Sequence, residues 1–185
     1  SYDSKKSGGV TVSHLRFDTV PIMAPYLINA ADFVAVHNQS YVYNYDVLAG
    51  LKKGGTFLLN CTWTAEELDA NLPGQLKRYI AENDIKFYII DAVKIAQEIG
   101  LGGRINMIMQ SAFFKLADVI PLETAVKHLK EAVEHSYGKK GQNIVDMNNA
   151  AIDQGINAIV AVEVPAAWAN AEDSKLAAET GNEFV

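Results

Sequence analysis

The sequence predicts an α/β fold, three-layered α/β/α around a mostly parallel, Rossmann-like sheet, with a helical C-terminal part. Three observations predict it. Short runs rich in β-branched and aromatic residues alternate with stretches of helical spacing in the order β, β, α, β, α, β, followed by helices. Such repeated crossovers make neighbouring strands parallel and place helices on the sheet faces. Two of the runs, "DFVAVHN" (32–38) and "TFLLNC" (56–61), are almost continuously apolar, as strands buried on both faces require. Finally, 185 residues with 49% apolar and 21% charged side chains suffice for one domain with a real core and are too few for two comfortable ones.

The elements follow in order. "VTVSHLRF" (10–17) reads as a strand, and 32–38 as a second. Tyr41, Tyr45, Leu48 and Leu51 recur at helical spacing, and Gly54 and Gly55 stop that helix. The strand 56–61 comes next. Thr64 stands three residues before Glu67, the signature of a capping box, so a helix opens there. Pro73 and Gly74 break it, and a second helix runs from 75 to about 83. "KFYIIDA" (86–92) is the strongest strand signal. Helices are expected over 93–99, from 104 to about 119, from 122 to about 135 and from 142 to about 154. "AIVAVEV" (158–164) is a last strand or a buried helix end, stopped by Pro165. Residues 1–168 are expected to form the domain and 169–185 a linker or frayed tail. The chain opens almost on a strand and without Met, so it is expected to be a piece of something longer whose sheet lacks its first βα unit.

Composition excludes several classes. A formal net charge of −6 argues against nucleic-acid binding, so any anion site must be local. The single cysteine, Cys61, allows neither an internal disulfide nor a cysteine-based metal site, and fits a reducing, cytoplasmic setting. His14, His37, His128 and His135 show no zinc-ligand spacing. No apolar run approaches the ~18 residues of a membrane span, and with no basic n-region followed by an apolar h-region at its start no signal peptide is expected.

Ligands of open α/β sheets bind at the carboxyl ends of strands. Here those ends carry "SHLRFD", "HNQS", "NCTWT" and "DAVK". A site along this rim and simple polar capping of strand ends both explain the pattern. The opening stretch "SKKSGGVTVSHLR" is the most unusual. Lys5 and Lys6 are point charges suited to phosphate, and Gly8 and Gly9 let backbone N–H groups approach a ligand. Ser7 and Ser13 add hydroxyls, and Arg16 a bidentate fork. The group reads either as an anion site or as an exposed turn that makes an interdomain contact. It is neither a Walker A loop nor a GxGxxG turn. His14 and His37 are each a general-base candidate or a hydrogen-bonded interface residue. Cys61 reads as a buried, inert thiol. Asp91 ends a strand as a ribose-binding acid would, without the glycine fingerprint that should precede it. "GLGGR" (100–104) is a helix-to-helix turn or an anion-binding helix start, and "SYGKKGQN" (136–143) a solvated loop.

Several long blocks resemble the gamma-type domain of the pyruvate:ferredoxin (flavodoxin) oxidoreductases. They are "YDSKKSGGVTVSHLRF", "ADFVAVHNQSYVYNYDVLAGLKKGGTFLLN", "GGRINMIMQSAFFKLADVIP", "VDMNNAAIDQG" and "VEVPAAWANA", which together cover nearly the whole chain. Two departures stand out. The glycine-rich strand-to-helix turn with which that domain begins is absent, and Asp18 stands where the family commonly has Gly after "SHLRF". The resemblance implies oxidative decarboxylation of pyruvate with coenzyme A, giving acetyl-CoA, CO2 and electrons for ferredoxin or flavodoxin. It implies thiamine diphosphate, Mg2+ and [4Fe–4S] clusters in the parent enzyme, none of them bound by this chain. It implies other domains of the parent chain as partners and a homodimer as the full-length enzyme. No catalytic or metal-binding residue carries over, and the piece alone is expected to be inactive. What carries over is CoA contact by Lys5, Lys6, Ser7, Gly8, Gly9, Ser13 and Arg16. The alternative is a purely structural or dimerisation domain.

Overall fold

The computed structural model describes residues 32–174. The expected strand at 10–17 lies outside them. The described residues fall into two compact units, one around the sheet and one helical.

The first unit is built on four strands in the order β1-β2-β3-β4, a mostly parallel sheet that places the chain in the α/β class. β1 (Phe33–Val36) runs parallel to β2 (Thr56–Asn60), with Phe33 opposite Thr56 and Val36 opposite Leu59. Consecutive residues of each are buried: Val34, Ala35 and Val36 in β1, and Phe57, Leu58 and Leu59 in β2. Burial of neighbours that point to opposite faces is the mark of a strand covered on both sides. β3 (Lys86–Ile90) follows, and its Phe87 ring stacks on Phe57 at 5.0 Å between centroids and 6° between planes. The last expected strand shrinks to β4 (Val160–Ala161), antiparallel to β3 with Ile89 opposite Val160.

The segment after β1 departs from expectation. Only α1 (Tyr41–Asn44) is helical, because Tyr45 turns extended at φ −139° and ψ 153°. Turns carry the chain on, with Leu51 N–H donating to the Leu48 carbonyl and Gly50 at φ +86°. Val47, Leu48 and Leu51 are still fully buried. The apolar spacing therefore reports burial correctly, and burial is satisfied here without a helix. α2 (Ala65–Asn71) opens on the expected capping box: Glu67 N–H donates to Thr64 Oγ1 at 3.2 Å and Thr64 N–H to Glu67 Oε1 at 2.9 Å. Leu72, preceding Pro73, is extended, and α3 (Gly74–Glu82) starts immediately after. A 3-10 turn, Ala166–Asn170, returns Trp168 to the core of this unit, beside Phe87.

The helical unit contains α4 (Ala92–Ile99), α5 (Asn106–Ala117), α6 (Leu122–Tyr137) and α7 (Gln142–Asn157). α5 buries Ile108, Met109, Ser111, Ala112, Phe113 and Phe114, which cover most of its circumference, so it is the central helix of this unit. α6 turns Ala125, Leu129 and Val133 inward at four-residue spacing. α7 crosses α5 at Gly155, where a Cβ would lie 2.2 Å from Ser111 Oγ and 2.6 Å from the Ile108 carbonyl oxygen. Lys130 Nζ and Asp153 Oδ1, 3.0 Å apart, link α6 to α7.

Candidate functional site

The basic, glycine-rich stretch with Lys5, Lys6, Ser7, Gly8, Gly9, Ser13 and Arg16 lies outside the described residues, as does His14. What the structure does describe is the rim formed by the carboxyl ends of β1 and β2. Parallel pairing brings the loops His37–Ser40 and Cys61–Thr64 side by side. Asn60, buried at the end of β2, donates from Nδ2 to the His37 carbonyl at 2.8 Å. Gln39 Oε1 accepts from the Thr62 N–H at 2.9 Å and from the Thr62 hydroxyl at 3.4 Å. Asn38 Oδ1 accepts from the Ser40 N–H at 3.0 Å and from its hydroxyl at 2.9 Å. The polar residues at these two strand ends therefore tie one loop to the other and close their own turns. At these positions the capping explanation of the sequence pattern holds.

An aromatic group borders the rim. The Tyr43 and Trp63 rings meet edge to face at 6.2 Å, and Tyr41 and Tyr45 likewise at 5.6 Å. Burial pushes the Tyr43 phenol above its ordinary pKa. Cys61 is buried, with its thiol 3.9 Å from the Trp63 carbonyl. A buried thiol in apolar surroundings is a poor nucleophile, which agrees with its reading as inert.

The remaining candidates have local partners. Asp91 caps α4, accepting from the Lys94 N–H at 3.1 Å, so its carboxylate does the work of a helix cap. Arg104 Nε donates to the Leu101 carbonyl at 3.0 Å within the turn that follows Gly100, a left-handed residue at φ +109°. The "GKK" of the second basic stretch forms the 3-10 turn Gly138–Lys140. His128 pairs with Glu131 on the surface of α6 at 3.5 Å.

Two features of the first unit escape sequence reasoning. One is an open cavity of about 410 Å³ with Val42, Tyr45, Leu76, Arg78 and Tyr79 in its wall. The other is a lock made by Trp168, whose indole N–H donates to Asp69 Oδ1 at 2.8 Å. The Lys77 ammonium donates to the Asp69 carbonyl at 2.8 Å and lies 6.0 Å from the indole ring. The signal was present in "VEVPAAWAN": a Pro ahead of an isolated Trp in a polar, alanine-rich tail marks an apolar anchor. Among the described residues no group of three or more His, Cys, Asp or Glu is placed to hold a metal ion, and no helix is long and apolar enough to cross a membrane.

Comparison with known proteins covers the whole chain. Residues 1–158 match the family model described as pyruvate ferredoxin/flavodoxin oxidoreductase. The chain is 65% identical over 173 residues to a pyruvate-flavodoxin oxidoreductase of Enterobacter agglomerans, covering 94% of this chain and 15% of that protein. It is 58% identical over 185 residues to the pyruvate:ferredoxin oxidoreductase of Moorella thermoacetica, covering 100% and 16%. It is 48% identical over 190 residues to a mitochondrial pyruvate dehydrogenase [NADP(+)] of Euglena gracilis, covering 100% and 10%. The chain thus spans no more than about a sixth of these relatives. The pyruvate oxidoreductase subunit PORC of Thermotoga maritima superposes with a TM-score of 0.56 at 20% identity, covering 71% of this chain and 65% of that one, a likeness of fold.

Proposed function

We propose that this chain, which belongs to the pyruvate ferredoxin/flavodoxin oxidoreductase family, works as one domain of an enzyme that oxidatively decarboxylates pyruvate. In that reaction pyruvate and CoA give acetyl-CoA, CO2, a proton and two electrons, and the electrons pass to ferredoxin or flavodoxin. The observation that carries the reading is identity of 65% and 58%, over 94% and 100% of the chain, to two proteins named for this reaction.

Within such an enzyme, thiamine diphosphate with Mg2+ supplies the carbanion chemistry and [4Fe–4S] clusters carry the electrons. A cluster needs four cysteine thiolates, and this chain has Cys61 alone, buried in the core of the first unit. Its donor set does not fit a cluster, so the proposal assigns cluster binding to other parts of the enzyme; that thiamine binding lies there too is what the family resemblance implies.

The role left to this domain is to receive CoA. Lys5, Lys6, Ser7, Gly8, Gly9, Ser13 and Arg16 contact its phosphates and pantetheine arm. A carrier with several phosphates suits a local group of cations, hydroxyls and bare backbone on a chain of net charge −6. The relatives support a place on the pyruvate and CoA side. Proteins named for flavodoxin, ferredoxin and NADP(+) share this domain at 48–65% identity, so the acceptor is selected elsewhere. Calorimetric titration of CoA into the full-length enzyme and its Lys5→Ala/Lys6→Ala/Arg16→Ala variant tests the reading. Affinity should fall in the variant, and equal affinity contradicts it.

The second reading, a domain that packs other domains and orders a homodimer without a ligand of its own, draws on the rim. There Asn60, Gln39 and Asn38 spend their hydrogen bonds on the neighbouring loop or on their own turn. It predicts that the triple variant changes subunit association and leaves CoA affinity untouched.

A further inference from the structure

The first turn of α3 has no side-chain cap of its own, since Pro73 precedes it. The segment that follows the 3-10 turn Ala166–Asn170 supplies one. Gly74 N–H donates to Ser174 Oγ at 2.9 Å. The Gln75 side chain closes a two-way clasp, accepting from the Ser174 N–H at 2.7 Å and donating to its carbonyl at 3.1 Å. One turn on, the Arg78 guanidinium donates to the Ala171 carbonyl at 2.6 Å and to the Asp173 carboxylate. Gly74 is what admits this segment: a Cβ there would lie 1.6 Å from the Glu172 carbonyl oxygen.

The attachment has two layers of different chemistry. Trp168 is 3% exposed among apolar side chains, whereas 172–174 are exposed and held by polar contacts. Water competes for every polar contact and for none of the apolar ones, so the two layers open at different free energies. The 3-10 turn ends at Asn170 and Ala171 is extended, which places the hinge between them. Gln75 and Arg78 also line the cavity of about 410 Å³.

We propose that residues 171–174 are a releasable latch over the N-terminal turn of α3, hinged beside the fixed anchor Trp168. Shut, the latch commits Arg78 and Gln75 to the chain's own backbone and Asp173. Open, it frees both groups, which already stand in the wall of the cavity, to bond an occupant of it. The latch thus sets whether the polar groups of that wall are engaged or available.

Amide hydrogen exchange on the intact enzyme tests this. In Arg78→Ala, the amides of Gly74 and Ser174 should exchange about tenfold faster, as loss of charge-assisted hydrogen bonds implies. The amides of Trp168 and Val162, which donate to the Pro165 and Phe87 carbonyls, should keep their wild-type rates. Gly74→Ala should give the same pattern by steric exclusion. If that variant does not fold, Arg78→Gln provides the second comparison. Unchanged rates at Gly74 and Ser174, or acceleration of all four amides together, would overturn the proposal.

Discussion

The indole N–H of Trp168 donates to the Asp69 carboxylate at 2.8 Å, joining two elements 99 positions apart in sequence. It fastens the 3-10 turn Ala166–Asn170 to α2, with the Lys77 ammonium against both residues. Most of its strength is apolar, because the ring is almost wholly buried. Trp168→Ala should cost about 3–5 kcal/mol in urea unfolding, and Trp168→Phe no more than about 1.5 kcal/mol, since it keeps the packing and loses one half-solvated hydrogen bond. Equal costs would mean that the hydrogen bond, not burial, holds the turn.

The same contact has a pH signature. The Trp168 indole N–H and then the Lys77 ammonium hold the Asp69 carboxyl below its ordinary value of 3.8. A depressed folded pKa adds stability above the unfolded value, and that contribution is lost as pH falls through the folded one. The stability difference between wild type and Asp69→Asn should stay flat from pH 7 to about 5 and shrink below about 4. A difference that grows on acidification would contradict this.

The order and type of most described elements were legible because capping and periodicity act locally. Thr64 and Glu67 announce α2 by their spacing alone, and Pro73 and Gly74 mark the break before α3. Tyr41 to Leu51 misled because apolar residues at helical spacing require only burial, which turns around Gly50 provide equally well. The candidate site was less legible for a related reason. Polar residues at strand ends look alike whether they await a ligand or bond a neighbouring loop, and only the pairing of β1 with β2 reveals that Asn60 reaches His37. Local pattern marks Trp168 as an anchor, but its partner Asp69 lies 99 positions away, beyond the reach of any local signal.

Asn60 offers a direct test of the rim. Its buried Nδ2 donates to the His37 carbonyl at 2.8 Å. Asn60→Ala should cost about 1–3 kcal/mol, and Asn60→Asp more, because it sets a buried acceptor against that carbonyl. Asp tolerated as well as Ala in thermal unfolding would show that the tie is not formed.

The crossing of α5 and α7 depends on the missing side chain at Gly155. Gly155→Ala should destabilise by about 1–3 kcal/mol through overpacking. Adding Ser111→Ala should recover part of that and no more, because the Ile108 carbonyl oxygen stays 2.6 Å from the new Cβ. Full recovery would place the clash on the serine hydroxyl alone.

The central proposal is that the basic stretch of Lys5, Lys6 and Arg16 serves CoA. Steady-state kinetics of the full-length enzyme, with CoA and pyruvate varied in turn, tests it most directly. In Lys5→Ala/Lys6→Ala/Arg16→Ala the KM for CoA should rise by about tenfold or more, as loss of charge-assisted phosphate contacts requires, while the KM for pyruvate and kcat at saturating CoA hold. An unchanged KM for CoA in a folded, active variant would contradict the account.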